Sequence, residues 1–165
     1  MTQDYYNKIA SSYNKLHGEE QINKAKLILK EFLKHKKKGL LLDIGGGTGI
    51  STELFTENFE CVLIDPSEKL LEQGPPHIVK LLTSAETLPF SQNKFDLITS
   101  LTALHHTNMK QSLEEIKRVS KNGTLVAISF LKNSQKLEEF KKLFYKQYSN
   151  AREIEQEKDI IFFNF

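Results

Sequence analysis

The chain has 165 residues, of which 39% are hydrophobic and 27% are charged, and its 23 basic and 21 acidic residues leave a formal net charge of +2. This composition predicts a single domain over residues 1–165 with one core, and it excludes the strong positive charge that drives sequence-independent binding to nucleic acids. The single cysteine, Cys61, excludes an internal disulfide and a cysteine-based zinc site, and we predict no metal site. Since neither a signal-peptide pattern nor a membrane-length apolar run occurs, we expect a cytoplasmic protein.

The first two predicted elements are helices. Apolar and aromatic residues spaced three to five apart predict a short amphipathic helix before Gly18, and we expect residues 1–18 to form an N-terminal flap. A broad apolar stripe predicts a second helix over residues 19–38 that stops at Gly39. The basic run Lys34–Lys38 complements the helix dipole in its last turn, an interpretation that we prefer to a nucleic-acid-binding patch.

The stretch that organises the rest of the chain is residues 40–52. An apolar run ending in Asp43 leads into four glycines within five positions and then into a helix-compatible segment, which predicts a buried strand, a tight turn and a helix start. Glycines let the backbone take positive φ and let a ligand approach the main chain closely. Because Ile50 stands where the dinucleotide-binding pattern requires its third small residue, the turn suits a single nucleoside better; the alternative is a glycine-rich loop without a ligand.

A second feature agrees with a nucleoside ligand. The segment after the turn predicts a helix over Thr52–Phe59 and a short strand over Glu60–Ile64, which ends at Asp65. Asp65 follows Gly45 by twenty positions, the spacing at which a carboxylate at the tip of the next strand reaches ribose hydroxyls. The alternative is a simple turn former or helix cap.

The remaining pattern completes a doubly wound α/β sheet with helices on both faces. The loops after its first four strands converge on one crevice at their carboxyl ends. The C-terminal segment predicts an antiparallel hairpin that closes a seven-stranded, mostly parallel sheet, with a frayed helical tail as the alternative; with the hairpin, we expect the chain to be complete. The predicted elements are a helix over Ser67–Gln73, a strand over His77–Leu82, a loop over Thr83–Phe90, a strand over Lys94–Ser100, a helix over Met109–Val119, a turn over Ser120–Gly123, a strand over Thr124–Phe130, a helix over Leu131–Tyr148, and hairpin strands over Ala151–Glu155 and Ile160–Phe165.

These motifs resemble those of the class I S-adenosylmethionine-dependent methyltransferases, and in particular the small family that includes quinone-biosynthesis enzymes. Leu41–Gly49 is similar to their first motif, and residues 40–130 carry most of the resemblance. The other matching pieces are Tyr6–Tyr13, Leu63–Ser67, Ala85–Phe90, Phe95–Ile98 with Ala103–His106, and Arg118–Gly123. The resemblance implies a Rossmann-like fold, S-adenosyl-L-methionine as the cofactor and methyl transfer as the activity.

The resemblance also assigns roles to individual residues. It implies that the glycine turn wraps the methionine end of the cofactor, that Asp65 holds the ribose, that the main chain near Leu101 meets the amino group, and that Tyr13 covers the site. Asp43 is expected either to steady the turn or to reach the amino group through water. The residues implied at the methionine end are Gly45, Gly46 and Gly47. Those implied around the adenine are Pro66, Ala85 and Glu86. Ser84 stands where the family usually has an acid, so we expect an altered adenine contact there, with Glu86 as a compensating group.

The chemistry requires few catalytic side chains, because the cofactor carries the activated methyl group and the protein aligns the acceptor. Where a base is needed, His105 or His106 is the nearest titratable candidate; the alternative is that one packs beneath the loop and the other is solvated. We expect an open site and favour a small-molecule acceptor over RNA or protein. The alternative function is a cofactor-binding subunit that is inactive or is active only with a partner subunit.

Overall fold

The computed structural model describes residues 3–165, so positions 1 and 2 of the predicted flap lie outside the described residues. The described part of the chain forms one seven-stranded sheet in the order β3-β2-β1-β4-β5-β7-β6. Its strands are β1 (Leu40–Ile44), β2 (Glu60–Asp65), β3 (Val79–Leu82), β4 (Phe95–Leu101), β5 (Ser120–Leu131), β6 (Arg152–Glu155) and β7 (Asp159–Phe163). The first five strands run parallel and β7 pairs antiparallel to both β5 and β6, which confirms the predicted fold class and the C-terminal hairpin.

The helices lie on both faces of this sheet, because successive apolar side chains along a strand point to opposite faces and both faces must be covered. On one face, Leu41 and Leu97 pack against Ile28 and Phe32 of a long helix. On the other face, Leu42 and Ile98 belong to a second cluster that includes the apolar sides of two C-terminal helices. The helices are α1 (Gln3–Ile9), α2 (Tyr13–Leu33), α3 (Glu68–Glu72), α4 (Met109–Val119) and α5 (Leu137–Gln147). Within the described residues, no helix is both long enough and apolar enough to span a bilayer.

The helix boundary predicted at Gly18 is wrong. A single 3-10 turn, Ala10–Ser12, separates α1 from α2, and α2 then runs through Gly18. Gly18 is buried, and a Cβ atom there would lie 3.0 Å from Cδ1 of Ile50, just after the glycine turn. The glycine therefore serves close packing of the helix rather than its termination. The same helix ends at Leu33, so the basic run Lys34–Lys38 lies beyond it.

Three other predicted boundaries change. Thr52–Phe59 holds only a 3-10 turn, Thr52–Phe55, and α5 begins at Leu137 rather than at Leu131. The predicted turn at Ser120–Gly123 lies inside β5, where the register with β4 jumps from Phe95–Ser120 to Leu97–Leu125. The chain bends out of the ladder there, with Gly123 at φ 78°, so the turn residues make an irregularity in a strand instead of preceding it. The remaining elements start or end within a few residues of their predicted positions.

Candidate active site

A cavity of about 350 Å³ lies at the carboxyl ends of β1, β2 and β4. Its walls come from the glycine turn, the tip of β2, the loop between β3 and β4, the segment after β4 and the two N-terminal helices. The four predicted loops therefore do converge on one crevice, as a doubly wound sheet requires. Of the thirteen residues predicted for the site, ten line this cavity; the exceptions are Asp43, Gly46 and His105.

The glycine turn follows β1 directly and is tied to β2. The N–H groups of Gly45 and Gly46 both donate to the carbonyl oxygen of Ile64, at 2.8 and 3.2 Å. Gly45 has φ 69°, and a Cβ atom there would lie 2.5 Å from the Cβ of Ala103, so only glycine allows the turn to pack against the segment that follows β4. Gly47, at φ 58°, lines the cavity.

Asp65 ends β2 and faces the cavity. Its Oδ2 accepts a hydrogen bond from Gly47 N at 2.9 Å and its Oδ1 accepts one from Ser67 N at 2.8 Å. The residue is only 6% exposed, and this burial raises the pKa of its carboxyl to about 6. Each carboxylate oxygen retains a further lone pair, so the pair of oxygens can accept two more donors from a ligand.

Asp43 lies beneath the glycine turn rather than in the cavity wall. Its Oδ2 accepts from the Thr52 hydroxyl at 2.6 Å and its Oδ1 from the Thr99 hydroxyl at 3.0 Å. The side chain is fully buried, which raises its pKa to about 6. Of its two predicted roles, these contacts favour steadying the turn, because they join both ends of the turn to β4.

The loop between β3 and β4 brings Ser84, Ala85 and Glu86 to the cavity. The loop has no helix of its own and is held by α4. A carboxylate oxygen of Glu86 accepts from Asn108 N at 2.9 Å, while the Arg118 guanidinium donates to the carbonyl oxygens of Leu88 and Phe90. The positions of Ser84 and Glu86 thus depend on a helix that follows them by more than twenty residues.

The rings of the two candidate histidines are in contact, with centroids 3.7 Å apart, but their other neighbours differ. His106 lines the cavity, and its Nε2 shares a hydrogen bond of 3.0 Å with the hydroxyl of Tyr6. The ring of His105 instead packs edge-on against Phe130, away from the cavity lining. Burial lowers the pKa of both histidines to about 4, so both rings are neutral at neutral pH.

The N-terminal helices cover the crevice. Tyr6 and Tyr13 both line it, and burial raises the pKa of Tyr6 to about 12, so that its hydroxyl stays protonated. Two side-chain hydrogen bonds anchor the cover: Ser67 donates to Asn7 and Thr48 donates to Asn14, each at 2.5 Å.

Tyr6 and Thr102 also line the cavity, although no role in the site was predicted for either residue. Tyr6 precedes Tyr13 by seven positions, a spacing that indicates a shared helix face. Nothing in the sequence around Thr102 singles it out.

The comparisons with known proteins agree with this geometry. A family model described as a methyltransferase domain matches residues 42–128, more than half of the chain. An uncharacterized protein of Methanocaldococcus jannaschii is 36% identical over 127 residues, covering 74% of this chain and 56% of the relative. The ubiquinone/menaquinone biosynthesis C-methyltransferase of Hydrogenovibrio crunogenus is 34% identical over 113 residues, covering 59% of this chain and 44% of the relative. The chain thus spans about half the length of these relatives.

Solved structures share the whole fold. A proposed S-adenosyl-L-methionine-dependent methyltransferase from Methanococcus maripaludis superposes with a TM-score of 0.78 at 17% identity, over 95% of this chain and 91% of the other. This similarity shows that the two chains share a fold. By its sequence the chain belongs to the methyltransferase-domain family whose model it matches, which confirms the family predicted from its motifs.

Proposed function

We propose that the protein binds S-adenosylmethionine in this crevice and transfers the methyl group to a small-molecule acceptor. The observation that carries the proposal is the buried Asp65 carboxylate, which faces the cavity beside the glycine turn and is oriented by two backbone N–H groups. A carboxylate held in this way suits the two vicinal hydroxyls of a ribose, since each oxygen can accept one more hydrogen bond.

The rest of the crevice fits the two ends of this cofactor. A cavity of about 350 Å³ lies within the range for small-ligand sites. The backbone of Gly45 and Gly47 and the main chain at Leu101 would face the methionine end, whereas Gly46 would act by completing the turn. Pro66, Ser84, Ala85 and Glu86 would surround the adenine, with the Ser84 hydroxyl in place of a carboxylate. Asp43 would act indirectly, by holding the glycine turn.

The cofactor supplies a methyl group activated by a sulfonium, so the protein's part is to align the acceptor and exclude water. Helix α1 and the start of α2 perform the second task, because Tyr6 and Tyr13 close over the crevice and Asn7 and Asn14 anchor them. For an acceptor that must lose a proton, His106 is the base. Its neutral ring lines the cavity, and its Nε2 shares a hydrogen bond with the hydroxyl of Tyr6. His105 has a packing role.

Two features support a small molecule over RNA or protein as the acceptor. Tyr6 and Tyr13 partly cover the crevice, in contrast to the open site expected from the sequence, and a partly covered site suits a small ligand better than a macromolecule. The basic run Lys34–Lys38 precedes β1, so it lies near the amino ends of the parallel strands, whereas the crevice lies at their carboxyl ends. The quinone-biosynthesis relative is a C-methyltransferase, which supports carbon as the accepting atom.

A single domain and a cytoplasmic location, consistent with one unpaired cysteine, are parts of the same proposal.

Calorimetry with S-adenosylmethionine and with its demethylated product, S-adenosylhomocysteine, tests the proposal. We expect saturable binding of both, and absence of binding to either would refute it. Incubation with cofactor labelled in the methyl group, followed by separate extraction of small molecules, RNA and protein, then identifies the acceptor class. Label in the RNA or protein fraction would overturn the small-molecule assignment. Binding without transfer to any fraction would favour the inactive or partner-dependent subunit.

A further inference from the structure

Thr102 has an unusual backbone conformation. It is the residue directly after β4, it lines the crevice and it has φ 52°. Within residues 3–165, Asn93 is the only other non-glycine residue with positive φ. A β-branched side chain strongly disfavours this left-handed region, so the conformation persists only where its surroundings impose it.

A buried ion pair between Lys24 and Asp159 lies beside the Thr102 side chain. The ammonium group of Lys24, on α2, donates to Thr102 Oγ1 and to Asp159 Oδ2, both at 2.6 Å. The side chains of Lys24 and Asp159 are only 3% and 1% exposed. The third ammonium donor reaches Glu20 at 3.2 Å, and Thr102 N donates to the hydroxyl of Ser129 at 2.9 Å. Thr102 is thus held from α2, β5 and β7 together.

The conformation of Thr102 decides where the next wall of the crevice lies. Ala103, the following residue, packs so closely on Gly45 that a Cβ atom on that glycine would lie 2.5 Å away. The 3-10 turn Leu104–His106 follows and carries His106 to the cavity. With Thr102 at a negative φ, the chain would leave β4 in another direction and this contact would be lost.

We propose that Lys24 and Asp159 are positioning residues that act through Thr102. The buried pair holds Thr102 in the left-handed conformation and thereby sets the crevice wall from Leu101 to Thr107, although neither charged group touches the ligand. The inference rests on the proposed function in one respect only, because that function identifies S-adenosylmethionine and the methyl acceptor as the molecules that would contact this wall.

Two variants at position 102 separate conformation from hydrogen bonding. Thr102→Val and Thr102→Gly both lose the bond to Lys24, but only glycine adopts positive φ without strain. We expect Thr102→Val to weaken S-adenosylhomocysteine binding at least about tenfold, and Thr102→Gly to stay within about threefold of wild type. Hydrogen exchange of amides 103–107, measured without ligand, should accelerate about tenfold in the valine variant and little in the glycine variant. Equal effects of the two substitutions on both readouts would overturn the proposal.

Lys24→Met tests the ion pair itself, and Lys158→Met is its matched control. Lys158 also binds Glu20, at 3.3 Å, but is 65% exposed. We expect Lys24→Met to weaken binding about tenfold in the wild-type background and less than about threefold in Thr102→Gly, with no effect of Lys158→Met. An equal loss in both backgrounds would contradict the proposal. Where Lys24→Met fails to fold, the position-102 variants decide. If wild type binds no S-adenosylhomocysteine, the proposed function fails, while the ligand-free exchange comparison still judges this inference.

Discussion

The Asp65 carboxylate accepts a hydrogen bond from the N–H of Gly47 at 2.9 Å. This bond joins the tip of β2 to the turn after β1, so that the acidic and the glycine-rich parts of the crevice form one rigid unit. Because the same carboxylate faces the cavity, loss of its charge would affect both the shape of the turn and the binding of a ribose.

The first prediction concerns this carboxylate. Asp65→Lys should abolish S-adenosylhomocysteine binding in calorimetry, and Asp65→Asn should weaken it at least about tenfold, since a charge-assisted acceptor is lost. Asp96→Asn is the control, because Asp96 lies at the start of β4, at the opposite edge of the sheet, and pairs with Lys121. An Asp65→Lys protein that binds as tightly as wild type would refute the ribose assignment.

The second prediction follows from the raised pKa of Asp65. Its carboxyl titrates near pH 6 in the folded protein, and only the ionised form accepts two ribose hydroxyls. Affinity for S-adenosylhomocysteine should therefore fall as the pH decreases through 6, by about tenfold between pH 7 and pH 5. Asp65→Asn should bind weakly with little dependence on pH. A dependence that persists in Asp65→Asn would assign the titration to Asp43, whose pKa is also about 6.

The third prediction concerns Gly45 and Gly123, which both have positive φ. Alanine at either position incurs a conformational cost of about 1–2 kcal/mol. Gly45→Ala also creates the clash with Ala103, whereas nothing lies within 4 Å of a Cβ atom at Gly123. Denaturant unfolding should show a larger loss of stability for Gly45→Ala, and only that variant should lose cofactor binding. Similar losses in both variants would show that packing against Ala103 is unimportant.

The fourth prediction separates the two histidines. His106→Ala should slow methyl transfer by about 10²-fold or more to an acceptor that must be deprotonated, with cofactor affinity within about threefold of wild type. His105→Ala should instead lower the free energy of unfolding by about 1–2 kcal/mol, because its ring packs against Phe130, and should leave the chemical step intact. Single-turnover kinetics and denaturant titration measure the two effects. Equal rate losses would contradict the assignment.

Most of the sheet could be predicted because its signals are local. Alternating or continuous apolar runs mark the strands, and the acid at the end of β2 follows from its spacing to the glycine turn. The helix boundaries at the N-terminus could not be predicted in this way. Gly18 has the usual signature of a helix end, but the approach of Ile50, 32 positions later in the chain, makes it an interior residue of α2.

The residue pattern was sufficient to predict the ligand class, because the glycine turn and Asp65 are only twenty positions apart and both act through local backbone geometry. Three features became apparent only from the folded chain. His106 rather than His105 lines the crevice, Asp43 accepts hydrogen bonds from Thr52 and Thr99, and Lys24 and Asp159 meet at Thr102. Lys24 and Asp159 are separated by 135 positions. Contacts over such distances depend on how helices and strands pack together, and no local pattern of residues encodes that packing.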